Sequence, residues 1–161
     1  MEIKTKTSEV LVIDDRPYLK QVLLVAIGLA GFSLFLGTIK EYGFQSYYRF
    51  TYIMSILMVI IGPIGYLFFT TTIRMIFDKK SNDLQIFHIQ PRKTALAETY
   101  SLDNIHGAEV ESKKGKDPAI SFHRLIINQA DGKNIIPNHR FKRDYHSLGQ
   151  VAKGIKKFLG K

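Results

Sequence analysis

The sequence predicts an α+β membrane protein. A two-helix transmembrane hairpin leads into a small antiparallel β-barrel or bent sheet, closed by a C-terminal amphipathic helix. Three observations carry the prediction. Two long runs without a charged residue lie near the start, an apolar alternation of period two begins at about Ile73, and an apolar stripe of helical period ends the chain. Averages hide this division. The 161 residues hold 23 basic and 14 acidic side chains, a net charge of +9, at a mean hydropathy of only −0.03. Residues 1–73 hold 6 basic and 5 acidic groups, whereas residues 74–161 hold 17 and 9 and all five histidines. The sequence contains no cysteine. Disulfide scaffolds, Cys-ligated zinc, iron–sulfur clusters and cysteine nucleophiles are therefore excluded.

Residues 1–20 read as an N-terminal cytoplasmic arm. Within it Asp14 and Asp15 are adjacent carboxylates that point apart in an extended chain, so they are expected to be solvated. Residues 21–73 read as the hairpin, with spans at 21–39 and 50–73, each close to or above the roughly 20 apolar residues that cross a hydrocarbon core. A second span following so soon argues against a cleaved signal peptide for the first. The connecting loop gathers Tyr42, Phe44, Tyr47, Tyr48, Phe50 and Tyr52, the composition of an interfacial aromatic belt. That loop has two basic residues, Lys40 and Arg49, against four in the arm and a dense series after the second span. Both termini are thus expected on the cytoplasmic or stromal side.

Gly28 and Gly31, with Ala26 and Ala30, form a small-residue face on the first span, and Pro63 between Gly62 and Gly65 interrupts the second. Two uses are open for Gly28, Gly31 and Pro63: docking another membrane helix, or packing the two spans on each other. No ionisable residue lies inside either span, which argues against an ion or proton path.

Residues 74–161 read as a β-domain of six or seven short strands. Alternation through Ile73, Met75 and Phe77 is followed by a turn at 79–83, by the runs 84–90, 98–102, 105–111, 120–128 and 134–136, and by turn signals at 113–118 and 131–133. Leu148, Val151, Ala152, Ile155, Phe158 and Leu159 then recur at helical spacing, with Asp144 as N-cap and Lys153, Lys156 and Lys157 towards the negative end of the dipole. A bent sheet whose open edge and core are covered by that helix is a pleckstrin-homology-like (PH-like) architecture.

The layout as a whole, hairpin running directly into PH-like domain, resembles the bacterial membrane-anchored PH-domain proteins. Within that group it is similar to the photosystem I assembly protein family of cyanobacteria and chloroplasts. The matching stretches are Phe77-Asp78-Lys79, Ser101-Leu102-Asp103-Asn104-Ile105, Asp131-Gly132 with Ile136-Pro137, and Val151 to Leu159. The resemblance implies a non-catalytic role: docking on, or helping to assemble, an integral membrane complex in a bacterial inner membrane or thylakoid.

No phosphate-binding loop, HExxH, EF-hand or GxSxG motif occurs. His139 and His146 are seven apart and the other histidines fall on separate strands, so no metal, cofactor or enzymatic activity is expected, nor a small-molecule substrate. The basic groups cluster at Lys79-Lys80, at Lys113, Lys114 and Lys116, and at Arg140, Lys142 and Arg143. These are the expected contacts to a membrane partner or to anionic headgroups, where each is worth about 1 kcal/mol near the surface. Aromatic residues interleave with them only at Phe141, which disfavours nucleic acid. Two rival roles remain: an anionic-lipid-sensing module, and an accessory subunit of a transporter or channel.

Overall fold

The N-terminal residues are strands. In the computed structural model, which describes residues 1–117, 120–138 and 141–160, β1 (Glu2–Lys6) and β2 (Val10–Asp15) form an antiparallel hairpin. The Thr7 hydroxyl accepts from the Val10 amide at 2.9 Å in the turn between them. β2 continues the pairing along β3 (Thr72–Asp78), with Leu11 opposite Phe77, Ile13 opposite Met75 and Asp15 opposite Ile73. The solvated arm expected over residues 1–20 is therefore corrected. Val10-Leu11-Val12-Ile13 is a β-branched apolar run, and pairing with β3 buries Leu11 and Ile13 while satisfying both backbones. Because Asp15 and Ile73 close the β2–β3 ladder, Pro17–Thr71 is an insertion where a two-residue turn would otherwise join two strands.

Chain contacts divide the protein into two units. The first comprises Met1–Arg16, Thr72–Ile89 and Thr94–Lys161. Its five-stranded sheet runs β1-β2-β3-β4-β5, adding β4 (Asp83–Gln90) and β5 (Lys93–Ser101), and its three-stranded sheet runs β6-β7-β8. The latter strands are β6 (Ile105–Lys114), β7 (Ser121–Gln129) and β8 (Asn134–Ile135). β3, β4, β6, β7 and β8 overlie expected runs, and β5 begins five residues earlier than its run, directly after the Pro91-Arg92 turn. Both sheets contribute to one apolar core.

The third helix, α3 (Tyr145–Leu159), supplies Leu148, Val151, Ala152, Ile155 and Phe158 to that core, the predicted stripe. Asp144 caps it, accepting from the Ser147 amide at 3.0 Å, and the Ser147 hydroxyl together with this amide holds the Asp144 carboxyl below its usual range. Gly160 ends it in the left-handed region at φ +76°. His139 and Arg140 lie outside the described residues.

The second unit holds α1 (Tyr18–Tyr42), α2 (Arg49–Phe69) and the Gln90–Lys93 turn. Both ends of α1 extend three residues past the expected span. α2 stops four residues short of its expected end, because Thr70-Thr71-Thr72-Ile73 is a β-branched run that favours extended backbone. At the turn, the Arg92 guanidinium lies 5.4 Å from the centre of the Phe68 ring, and the Gln90 amide reaches the Thr71 hydroxyl at 3.5 Å.

Candidate functional site

α1 and α2 are built inside out. The buried residues of α1 are Gly31 and Thr38, and those of α2 are Ser55, Gly62 and Gly65, all small. The large side chains point away from the pair: Leu19, Val22, Leu23, Leu29 and Phe32 on α1, and Phe50, Ile53, Ile61 and Phe68 on α2, are all more than half exposed. The buried hydroxyls need no outside partner, because Thr38 donates to the Leu34 carbonyl at 2.8 Å and Ser55 to that of Thr51 at 2.6 Å. Both helices are long and apolar enough to cross a membrane, with mean hydropathy of 2.4 and 1.9. At their connected end Tyr42 stacks on Tyr48 with ring centres 4.2 Å apart, and the Tyr52 hydroxyl donates to the Gly43 carbonyl.

The small-residue face is used within this pair. A Cβ on Gly31 would stand 2.5 Å from the Met58 Cβ and 2.9 Å from the Ser55 carbonyl oxygen. One on Gly62 would meet Gly28 Cα, Gly28 N and the Leu24 carbonyl oxygen, each at 2.8 Å. Gly28 is looser, with Pro63 Cδ at 3.6 Å. Gly31 and Gly62 therefore serve the close approach of α1 and α2, with Gly28 in ordinary contact beside Pro63. Beside this crossing lie two adjoining apolar hollows of about 400 and 360 Å³. Local sequence does not reveal them, and the first forms where Gly28 of one helix meets Gly62 and Pro63 of the other.

The expected basic contacts do not converge. At the β3–β4 turn, Lys80 pairs with Glu9 at 3.0 Å and the Lys79 ammonium lies 4.7 Å over the Phe158 ring. Lys113 and Lys114 occupy the far end of β6, and Lys116 the turn beyond it. Arg143 joins this second group, its guanidinium 5.8 Å from the ring of Phe122, which is the cross-strand partner of Lys113. The side chain of Lys156, half a turn from Phe158, approaches Gly107 at the near end of β6. Six residues of strand, about 20 Å, separate Gly107 from Lys113. These are two patches, not one pocket.

Lys142 belongs to neither patch. It pairs with Asp15, which also accepts from the Asn138 amide at 2.6 Å. Asp14, on the opposite face of β2, accepts from Arg74 Nε at 2.7 Å and Nη2 at 3.0 Å, and from Arg16 Nη2 at 3.0 Å. Both carboxylates are almost wholly buried. The reading of Asp14-Asp15 as solvated is corrected: adjacent residues on a paired strand do point apart, but each points at a cation. The Arg74 hydrogen bonds hold the Asp14 carboxyl below the usual range, against the opposing effect of burial, and raise the Arg74 guanidinium in turn. The local signal available was the apolar run ending in two acids, which marks a strand. Arg16 is close in sequence, but Arg74 and Lys142 are remote.

Among the described residues no group of three or more His, Asp or Glu side chains is arranged to hold a metal ion. His123 Nδ1 lies 2.8 Å from the Ser112 hydroxyl, an exposed pair, and the His123 ring meets the Tyr145 ring edge-on at 5.0 Å. No protein-family model matches the chain, and no curated protein matches it.

Proposed function

We propose that the chain is a membrane-anchored, non-catalytic binding module. In this reading α1 and α2 cross a bilayer as an antiparallel hairpin, and the β-unit with α3 acts as a PH-like platform on the cytoplasmic or stromal side. The module docks on an integral membrane complex and helps to assemble or hold it. The observation that carries the reading is the inside-out hairpin. In water such rows of exposed Leu, Ile, Val and Phe far exceed the apolar patch a soluble monomer tolerates, whereas in lipid they are the solvated surface. The basic excess after α2 supports the orientation. The two antiparallel sheets sharing a core with α3 support the PH-like reading, and with it the resemblance to bacterial membrane-anchored PH-domain proteins and the photosystem I assembly family.

Absence of native cysteine makes the topology directly testable. Single cysteines replacing Phe44 and Lys113 are labelled in intact spheroplasts with a membrane-impermeant maleimide. Labelling at 44 but not at 113 is expected, and labelling at both or the reverse order contradicts the orientation. Mild-detergent extracts run on a native gel then test docking. Co-migration with a larger membrane complex is expected, and a strictly monomeric band at native expression rejects it.

The exposed end of β6, where Lys113 is registered with Phe122 and Arg143 lies over the Phe122 ring, favours a second reading as an anionic-lipid sensor. Full-length protein in nanodiscs would then contact acidic vesicles and release them as salt rises.

A further inference from the structure

The hollows beside the α1–α2 crossing have a shape and polarity of their own. Their walls are Leu24, Val25, Gly28 and Leu29 of α1 with Gly62, Pro63, Tyr66 and Leu67 of α2, extended along α1 to Gln21. Space exists here because Gly28, Gly62 and Pro63 project no long side chain. From Gln21 to Leu29 the groove follows α1 for about 12 Å, close to the roughly 15 Å of one leaflet's hydrocarbon. Its polar groups gather at one end. Gln21 and Tyr66 are among its lining residues, and neither side chain has a hydrogen-bond partner among the described residues. Lys20 is exposed beside Gln21, and Arg92 and Lys93 belong to the same unit. The unit's one acidic residue, Glu41, sits at the opposite end of α1, about 31 Å along the helix.

We infer that this groove binds one anionic phospholipid, with an acyl chain between Leu24, Leu29 and Pro63, and its ester and phosphate region at Gln21, Tyr66 and Lys20. The inference rests on the reading that α1 and α2 span a membrane. In the membrane reading the hollows, of about 400 and 360 Å³, open towards the lipid around the hairpin, so an acyl chain enters from the side. Polarity selects the head. A hydrocarbon alone leaves Gln21 and Tyr66 unsatisfied in an apolar setting, whereas ester and phosphate oxygens accept from both. Charge selects an anion, since the cation at this end has no acidic neighbour within the unit.

The test uses the full chain in nanodiscs of equal parts phosphatidylglycerol and phosphatidylcholine, released into native mass spectrometry. The wild-type chain is expected to keep one phosphatidylglycerol. Val25→Trp fills the groove from a half-exposed position and should lower that adduct about tenfold or more. Gln21→Leu with Tyr66→Phe should lower it several-fold at nearly constant volume, and Lys20→Gln should remove the preference over phosphatidylcholine. No adduct on the wild-type chain, or an adduct indifferent to Val25→Trp, overturns the inference. So does a photo-crosslinking amino acid in place of Val25 that captures a membrane polypeptide instead of lipid. Alkaline extraction of membranes separates the two levels. A chain that resists extraction but retains no lipid sinks this inference alone, whereas a chain washed off by alkali sinks the membrane reading beneath it.

Discussion

Cutting the chain after the second apolar run, to leave residues 74–161, removes β1 and β2 from the sheet they share with β3. The loss is large. Leu11 and Ile13 are fully buried, and deleting two such side chains forfeits about 1.5–3 kcal/mol each. Their neighbours Phe77 and Met75, fully buried in the intact sheet, become partly uncovered, and Arg74 and Lys142 lose the carboxylates they face. The combined cost is about 5–10 kcal/mol, comparable with the whole stability of a small domain, about 5–15 kcal/mol. Residues 74–161 alone are therefore expected to give a poorly dispersed amide spectrum and no cooperative urea transition. Joining Arg16 to Thr72 through Asn-Gly, a turn suited to closing a β-hairpin, should instead give a soluble, cooperatively unfolding protein without the helices. Equal urea midpoints for the two polypeptides would refute the assignment of β1 and β2 to this unit.

Three further outcomes are expected. Gly62→Ala forces α1 away from α2, because all three nearest atoms are backbone, and should cost about 1–3 kcal/mol in detergent unfolding; Gly28→Ala, in ordinary contact, should cost far less, and equal losses would contradict the crossing. The depressed Asp14 carboxyl contributes stability that is present above its unfolded value of about 3.9 and is lost as pH falls through its lower folded value, so Asp14→Asn should flatten the acid limb of Tm against pH. Ile155→Ala removes a fully buried side chain between α3 and the sheets and should cost about 2–5 kcal/mol by chemical denaturation.

Local pattern was enough for much of this fold. The apolar runs, the alternation from Thr72 and the stripe with its Asp144 cap each follow from the period and composition of a few neighbouring residues, and each element formed where that signal lay. Even so, the end of α2 shifted, because the β-branched residues at 70–73 belong equally to an apolar run and to a strand.

What the sequence by itself determined is the kind of protein: two charge-free apolar runs long enough for a bilayer, and a basic α+β portion after them. Only the tertiary structure decided that β1 and β2 complete the later sheet, since Asp14 and Arg74 meet across 60 positions of sequence. It also decided that Gly28 and Gly31 of α1 face α2, that the basic residues divide between two ends of β6, and that an apolar groove lies beside the crossing. The physical reason is common to all four. Period and composition report which face of an element is apolar, but the partner on that face is chosen by closure of distant chain segments.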